Sequence, residues 1–199
     1  MVAVAADALI FDLDGTIWDS ARWFALGLAD GDATRAATIQ AALIGDGNIV
    51  AAAKAAGLSK ERLLQKAAHH GGPPPLFVGM REALDKVRAR GTPLAIATNL
   101  PGSLATPMLE AAGLVAYFET VVHAGRCRIG KPNPASITMA LRDLGRAPSA
   151  DIFYVGDRAS DAEAARRAGI TPVWVAHGYE EPPADSSILT LTCDGFSAL

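Results

Sequence analysis

Asp12 and Asp14 follow a short apolar run, Ala8 to Phe11, and precede Gly15. The run reads as a buried strand, and the glycine marks the point where the backbone turns. Side chains alternate along a strand, so residues two apart share a face. Both carboxylates are therefore expected to look into the crevice beyond the carboxyl edge of a sheet, where α/β folds place their ligands. Two close anions repel unless a cation or a proton separates their roles. An Asp-rich turn capping a strand is the plainer reading of the same residues.

Three later stretches carry matching chemistry. Thr98-Asn99 directly follows the apolar run Leu94 to Ala97; a hydroxyl and an exposed backbone N–H there suit a phosphate oxygen, although Thr-Asn also makes an ordinary turn. Lys131 lies in Gly130-Lys131-Pro132-Asn133-Pro134, where two prolines fix the local backbone and aim a point positive charge. Gly156-Asp157-Arg158-Ala159-Ser160-Asp161 follows the apolar Phe153-Tyr154-Val155. Its two aspartates read either as a helix N-cap pair or as ligands. Mg²⁺ prefers a few carboxylates plus waters and substrate oxygens. Asp12 and Asp157, with Asp14 through its backbone carbonyl, supply such a set, and Asp161 is expected to orient a water or Lys131.

Asp-Leu-Asp-Gly-Thr-Ile-x-Asp-Ser, Thr98-Asn99, Lys131-Pro and Gly-Asp-x-x-x-Asp, each after an expected strand and in this order, resemble the four motifs of the haloacid dehalogenase-like hydrolases, in the phosphoglycolate phosphatase-like branch. The resemblance implies a Rossmann-like parallel α/β sheet core with an inserted small α-helical (C1-type) cap. It implies a Mg²⁺-dependent phosphomonoester hydrolase. Asp12 would be the nucleophile that forms an aspartyl-phosphate, and Asp14 the general acid and base. Thr16 would steer Asp14, while Lys131, Thr98, Asn99 and the backbone N–H groups from Leu13 onward would hold phosphoryl oxygens. Ile44 to Asn48 resembles in position a lid loop that approaches the site, which makes Gly45 and Asn48 neighbours of the leaving group; a simple interhelix turn fits as well. Family members often carry an aspartate shortly after the second proline, where this chain has Ala135 and Ser136.

A phosphosugar mutase shares these motifs, and a non-catalytic phosphometabolite-binding module could be built on the same fold. Asp14 argues against a dehalogenase, and a phosphonate hydrolase would need a Schiff-base lysine among Lys54, Lys60 and Lys66. Phosphoglycolate is a candidate substrate.

The elements that must position these residues follow from the pattern. From Thr16 to about Ala68 helical spacing dominates, with Asp32 or Thr34 capping a second helix, Gly57 closing a third and Ser59 opening a fourth. Gly71 to Pro75 breaks helix and stiffens the chain. This predicts residues 18–75 as a helical lid, joined to a core of residues 1–17 and 76–199 by hinges at Ile17 to Arg22 and His69 to Pro75. His69 and His70 are expected as exposed helix-end residues. From Val78 helices alternate with strands at Pro93–Ala97, Phe118–Val122, Ile152–Val155 and Thr171–Val175, the order that builds a parallel sheet. After His177 a polar, Pro-containing loop and a short ending carry no assignable pattern.

With 199 residues, half of them hydrophobic and a fifth charged, the composition is globular. A net charge of −3 gives no electrostatic case for nucleic acid or anionic lipid. No apolar run approaches the roughly 18–20 residues of a spanning helix. Cys127 and Cys193 lack metal-like spacing, so free thiols and a cytoplasmic location are expected. The partner expected is a small phosphomonoester, with the chain a monomer or homodimer.

Overall fold

In the computed structural model, the residues described are 6–45, 49–69, 72–183, 188–196 and 199. The first strand, β1 (Ala8–Phe11), is buried along its whole length. Leu9 and Phe11 pack into one apolar cluster, and Ala8 and Ile10 into another. A strand apolar on both faces belongs inside a parallel sheet covered on both sides by helices. β1 lies there: with β2 (Leu94–Ala97), β3 (Thr120–Val122), β4 (Ile152–Gly156), β5 (Thr171–Val175) and β6 (Leu189–Leu191) it forms a parallel sheet ordered β3-β2-β1-β4-β5-β6.

Four helices are inserted after β1: α1 (Ser20–Leu28), α2 (Ala33–Gly45), α3 (Ile49–Ala55) and α4 (Lys60–His69). Their ends use the residues that the sequence pattern marks. Asp32 Oδ1 accepts the Arg35 N–H at 3.0 Å and Ser59 Oγ accepts the Arg62 N–H at 3.3 Å, satisfying donors that a helix start leaves open. Gly57, at φ +63°, closes α3, and the next N–H, of Leu58, returns to Ala53 O at 2.9 Å. The chain enters and leaves this block side by side. Asp19 N–H donates to Pro75 O at 2.9 Å, Phe77 N–H to Ile17 O at 3.1 Å, and Trp18 pairs with Leu76.

The core helices follow: α5 (Met80–Ala89), α6 (Gly102–Ala111), α7 (Ala135–Asp143), α8 (Ala159–Arg167) and α9 (Cys193–Phe196). Met80, Leu84 and Val87 of α5, Leu104 and Leu109 of α6 and Phe196 of α9 cover the face that holds Phe11. Ile137, Ala140 and Leu141 of α7, with Ala164 and Ala165 of α8, cover the other. This is the α/β, Rossmann-like core with an inserted helical cap that the motifs imply.

Two features differ from the sequence expectation. β3 begins at Thr120 rather than Phe118, because Val115–Tyr117 form a 3₁₀ turn that swings Phe118 into the core. β6 and α9 are elements that the pattern did not assign. With three and four residues, they are too short to show a period, and the outer strand is half exposed.

Candidate active site

Sheet order places the site. β2 and β3 extend from one side of β1, and β4, β5 and β6 from the other, so the crevice of the switch point opens beyond Phe11 and Gly156. Asp12 and Asp157 stand at these two ends.

Asp12 continues the ladder by one bond, its N–H donating to Val155 O at 3.0 Å, and its side chain is 9% exposed. The regular strand ends there, so a turn, and not strand alternation, carries Asp14 to the same cavity. Leu13 O accepts the N–H groups of Thr16 and Ile17 at 3.2 and 2.9 Å, and Gly15 takes φ +80°. A side chain at Gly15 would be strained at that φ, and its Cβ would come within 2.3 Å of Asp157 Oδ2.

The turn corrects one expectation. The Thr16 hydroxyl donates to Asp157 Oδ1 at 3.3 Å, not to Asp14; the indole N–H of Trp18 holds Asp14 Oδ1 at 3.0 Å. Reversal of the chain after Gly15 turns Thr16 back beneath the β4 end, while Trp18, one helical turn beyond Asp14, folds over it. Burial, and then the neighbouring Asp12 carboxylate, raise the Asp14 pKa. A carboxyl that keeps its proton to higher pH is suited to donating one.

Lys131 is the hub of the core side. Its Nζ lies 2.8 Å from Asp12 Oδ1, 2.6 Å from Asp161 Oδ1 and 2.8 Å from Tyr154 Oη. Burial acts to lower its pKa, but Asp12 and Asp161 outweigh it and hold the ammonium well above the usual lysine value. The approach to Asp12 is an ion pair without hydrogen-bond alignment, which leaves Asp12 Oδ1 buried with no aligned donor. Asn99 fixes the lysine backbone: its Oδ1 accepts the Lys131 N–H at 2.9 Å and its Nδ2 donates to Lys131 O at 3.5 Å. Asn99 thus acts on this loop through its side chain. Thr98 is buried, and its Oγ1 accepts the Leu100 N–H at 3.1 Å.

On the other side, burial, then the Asp161 and Asp12 carboxylates, push Asp157 up to about 7. Asp161 Oδ2 accepts the Arg158 N–H at 3.1 Å, so this residue caps α8 and faces Lys131 at once. One oxygen each of Asp12, Asp157 and Asp161 lies within 4.8 Å of the others. Three buried carboxylates this close, one with an oxygen lacking an aligned donor, fit a divalent cation. Asp161 joins this set through its side chain.

Several residues around the site were given no role from the sequence. Tyr154, on β4, donates to Ala97 O at 2.7 Å and receives Lys131; a lone phenol in the apolar run Phe153-Tyr154-Val155 was its signal. Tyr179 N–H donates to Asp157 Oδ2 at 2.9 Å, and its hydroxyl donates to Asp19 Oδ1 at 3.1 Å and accepts the Ala21 N–H at 2.8 Å. Gly178 permits this, since a Cβ there would lie 2.1 Å from the Asp157 Cβ. Arg158 donates to Leu43 O and Ile44 O at 3.1 and 2.8 Å while pairing with Glu180 at 3.0 Å. The stretch 178–180 has no period to read, only its position after a buried strand.

A cavity of about 670 Å³ spans core and cap, lined by Asp12, Asp14, Thr98, Asn99, Lys131 and Asp161 among others. Gly45, exposed at the end of α2, also lines it; Asn48 lies outside the described residues. His69 ends α4, and His70 too lies outside the described residues.

The family model for haloacid dehalogenase-like hydrolases matches residues 6–169. The chain belongs to that family. Among curated relatives, it is similar to the phosphoglycolate phosphatase of Rhodobacter capsulatus, 36% identical over 62% of this chain and 55% of the relative. It is also similar to that of Escherichia coli K12, 33% identical over 52% and 41%. The chain therefore aligns with about half the length of these relatives. The solved structure of a HAD-superfamily hydrolase from Ehrlichia chaffeensis has the same fold, with a TM-score of 0.69 and 24% identity over 97% of this chain and 95% of that one. Among the described residues no helix is long and apolar enough to cross a membrane.

Proposed function

We propose that this protein is a Mg²⁺-dependent phosphomonoester hydrolase acting on a small phosphorylated metabolite through an aspartyl-phosphate on Asp12. The observation that carries this reading is the floor of the cavity, where Asp12 meets Lys131 at 2.8 Å within a buried cluster with Asp157 and Asp161. Asp12 and Asp157 would hold Mg²⁺, with the backbone carbonyl of Asp14, and the bound cation would offset the carboxylates and the charge on the phosphoryl oxygens.

Asp12 attacks phosphorus and the ester oxygen departs, taking a proton from Asp14. In the second step Asp14 takes a proton from water as its oxygen attacks the aspartyl-phosphate, which returns Asp12 and releases phosphate. Lys131, fixed by Asn99, Asp161 and Tyr154, would bind a phosphoryl oxygen, together with the Thr98 hydroxyl and backbone N–H groups from Leu13 onward. Thr16 acts through Asp157. The side-by-side segments at 17–19 and 75–77 support a lid bounded at residues 18 and 75 that closes over substrate. Two free thiols are compatible with a cytoplasmic location.

Phosphate release from p-nitrophenyl phosphate, abolished by EDTA and restored by Mg²⁺, tests the reaction class. Single turnover with Asp12→Asn tests the nucleophile: a loss of about a thousand-fold or more is expected, and substantial retained Mg²⁺-dependent turnover would remove the assignment. Phosphoglycolate, the substrate in the relatives' names, is the reference ester.

A further inference from the structure

The loop after β5 forms a strap across the site. Ala176 N–H donates to Leu191 O at 2.9 Å, and His177 Nε2 lies 2.9 Å from Thr16 O. Glu180 accepts the Ala159 N–H at 3.0 Å and pairs with Arg158. These bonds hold both ends of the strap on the core.

Tyr179, between those ends, reaches in two directions. Its backbone N–H donates to Asp157 Oδ2 at 2.9 Å, while its hydroxyl donates to Asp19 Oδ1 at 3.1 Å and accepts the Ala21 N–H at 2.8 Å. Asp19 is the N-cap of α1, and Ala21 lies in the first turn of that helix. One residue therefore bonds a carboxylate of the acidic cluster and the entry to the cap. The fit is close on both sides: a Cβ at Gly178 would lie 2.1 Å from the Asp157 Cβ, and one at Gly15 would lie 2.7 Å from Cδ2 of the Tyr179 ring. Asp157 is fully buried, so protein donors and not solvent set the angle of its carboxylate. The Thr16 hydroxyl holds Oδ1 at 3.3 Å, and the Tyr179 N–H holds Oδ2. Groups that orient a ligand in this way are typically worth about 10–100-fold in metal affinity or activity.

We propose that Tyr179 is a positioning residue whose phenol, anchored on Asp19 and Ala21, holds the strap so that its backbone N–H orients Asp157 for Mg²⁺. Metal binding is thereby coupled to the first turn of the cap. The inference rests on Asp157 as a metal ligand in the phosphatase reading above. Such coupling is reciprocal: the factor by which the hinge bonds favour Mg²⁺ is the factor by which Mg²⁺ favours the hinge bonds.

The test reads Mg²⁺ binding by titration calorimetry without ester, and amide exchange at Ala21 with and without Mg²⁺. Tyr179→Phe keeps the ring and the backbone N–H but loses both hinge bonds, and its Kd for Mg²⁺ should rise by about ten-fold. In the unsubstituted protein, saturating Mg²⁺ should slow exchange at Ala21 by about the same factor; in Tyr179→Phe that slowing should vanish. Asp19→Asn keeps an acceptor for the phenol and should bind Mg²⁺ as the unsubstituted protein does. Asp32→Ala removes the N-cap of a different cap helix and should also leave the affinity unchanged. Should Tyr179→Phe fail to fold, Asp19→Ala, which removes the acceptor, should show the same rise in Kd. An unchanged Kd in the variant tested, an equal rise in Asp32→Ala or Asp19→Asn, or exchange at Ala21 indifferent to Mg²⁺ overturns the inference and leaves the phosphatase standing. An unsubstituted protein that neither binds Mg²⁺ nor releases phosphate from p-nitrophenyl phosphate overturns both.

Discussion

Lys131 and Arg158 are two cations on the same edge of the sheet with opposite surroundings. The Lys131 side chain is 3% exposed and is held by side chains of the core, Asp12, Asp161 and Tyr154. Arg158 is 17% exposed and reaches out of the core to carbonyls at the end of a cap helix. The first closes the carboxylate cluster within the core. The second, with Tyr179 on Asp19 and Ala21, fastens the cap to it. The buried carboxylates and the cap are thus held by different cations, although Arg158 lies inside the motif that carries Asp157 and Asp161.

The strongest way to break this comparison is Lys131→Met. It leaves Asp12 and Asp161 facing each other without their counter-ion, so phosphate release should fall by about a thousand-fold or more. Urea unfolding should show a loss of about 3–5 kcal/mol, the usual result of removing one partner from a buried pair. A variant with near-native turnover would show that the lysine only supports packing. Arg158→Ala should act on the cap instead. A roughly ten-fold fall in kcat/KM is expected, chiefly through KM, with little change in global stability. An effect on kcat as large as that of Lys131→Met would dissolve the distinction.

Protons sharpen it further. Burial and two neighbouring carboxylates put Asp157 at about 7, above the roughly 3.9 of an aspartate in an unfolded chain. Between those values the folded protein holds more protons than the unfolded one. The associated stability is therefore complete at low pH and lost as pH rises through about 7. Asp14, raised by burial and Asp12, acts in the same direction; His177, lowered by burial, opposes it. Metal-free protein should melt a few degrees higher at pH 5.5 than at pH 8, and Mg²⁺ should raise the melting temperature more at pH 8. A metal-free midpoint that falls on acidification would contradict the crowding of the core carboxylates. The smallest effect belongs to the cap: Asp32→Ala removes an N-cap and should cost about 1 kcal/mol, read by hydrogen exchange confined to α2.

The same division explains what the sequence showed. Asp12, Thr98 and Asp157 were legible because each directly follows a short buried strand, and such strands end at the ligand crevice whatever surrounds them; Lys131, in the loop between β3 and α7, was legible from the prolines at 132 and 134. Asp32, Ser59 and Gly57 were legible because helix ends recruit particular side chains. The partner of Thr16 was not, since the turn at Gly15 decides which carboxylate its hydroxyl meets, and nothing in the spacing separates Asp14 from Asp157. Tyr179, Glu180 and the reach of Arg158 depend on contacts across more than a hundred residues or on a loop without period.

The paired segments at 17–19 and 75–77 have a consequence for how this chain can change. Because the inserted helices depart and return at one hydrogen-bonded neck, the strands of the core are joined across the neck whatever the length of chain beyond it. Closing a loop becomes harder only with the logarithm of its length, by roughly 0.6 kcal/mol for each doubling. Helices can then be lengthened, shortened or exchanged past Trp18 at little thermodynamic cost to the sheet, so diversification can proceed at one end of the neck while the other stays constant.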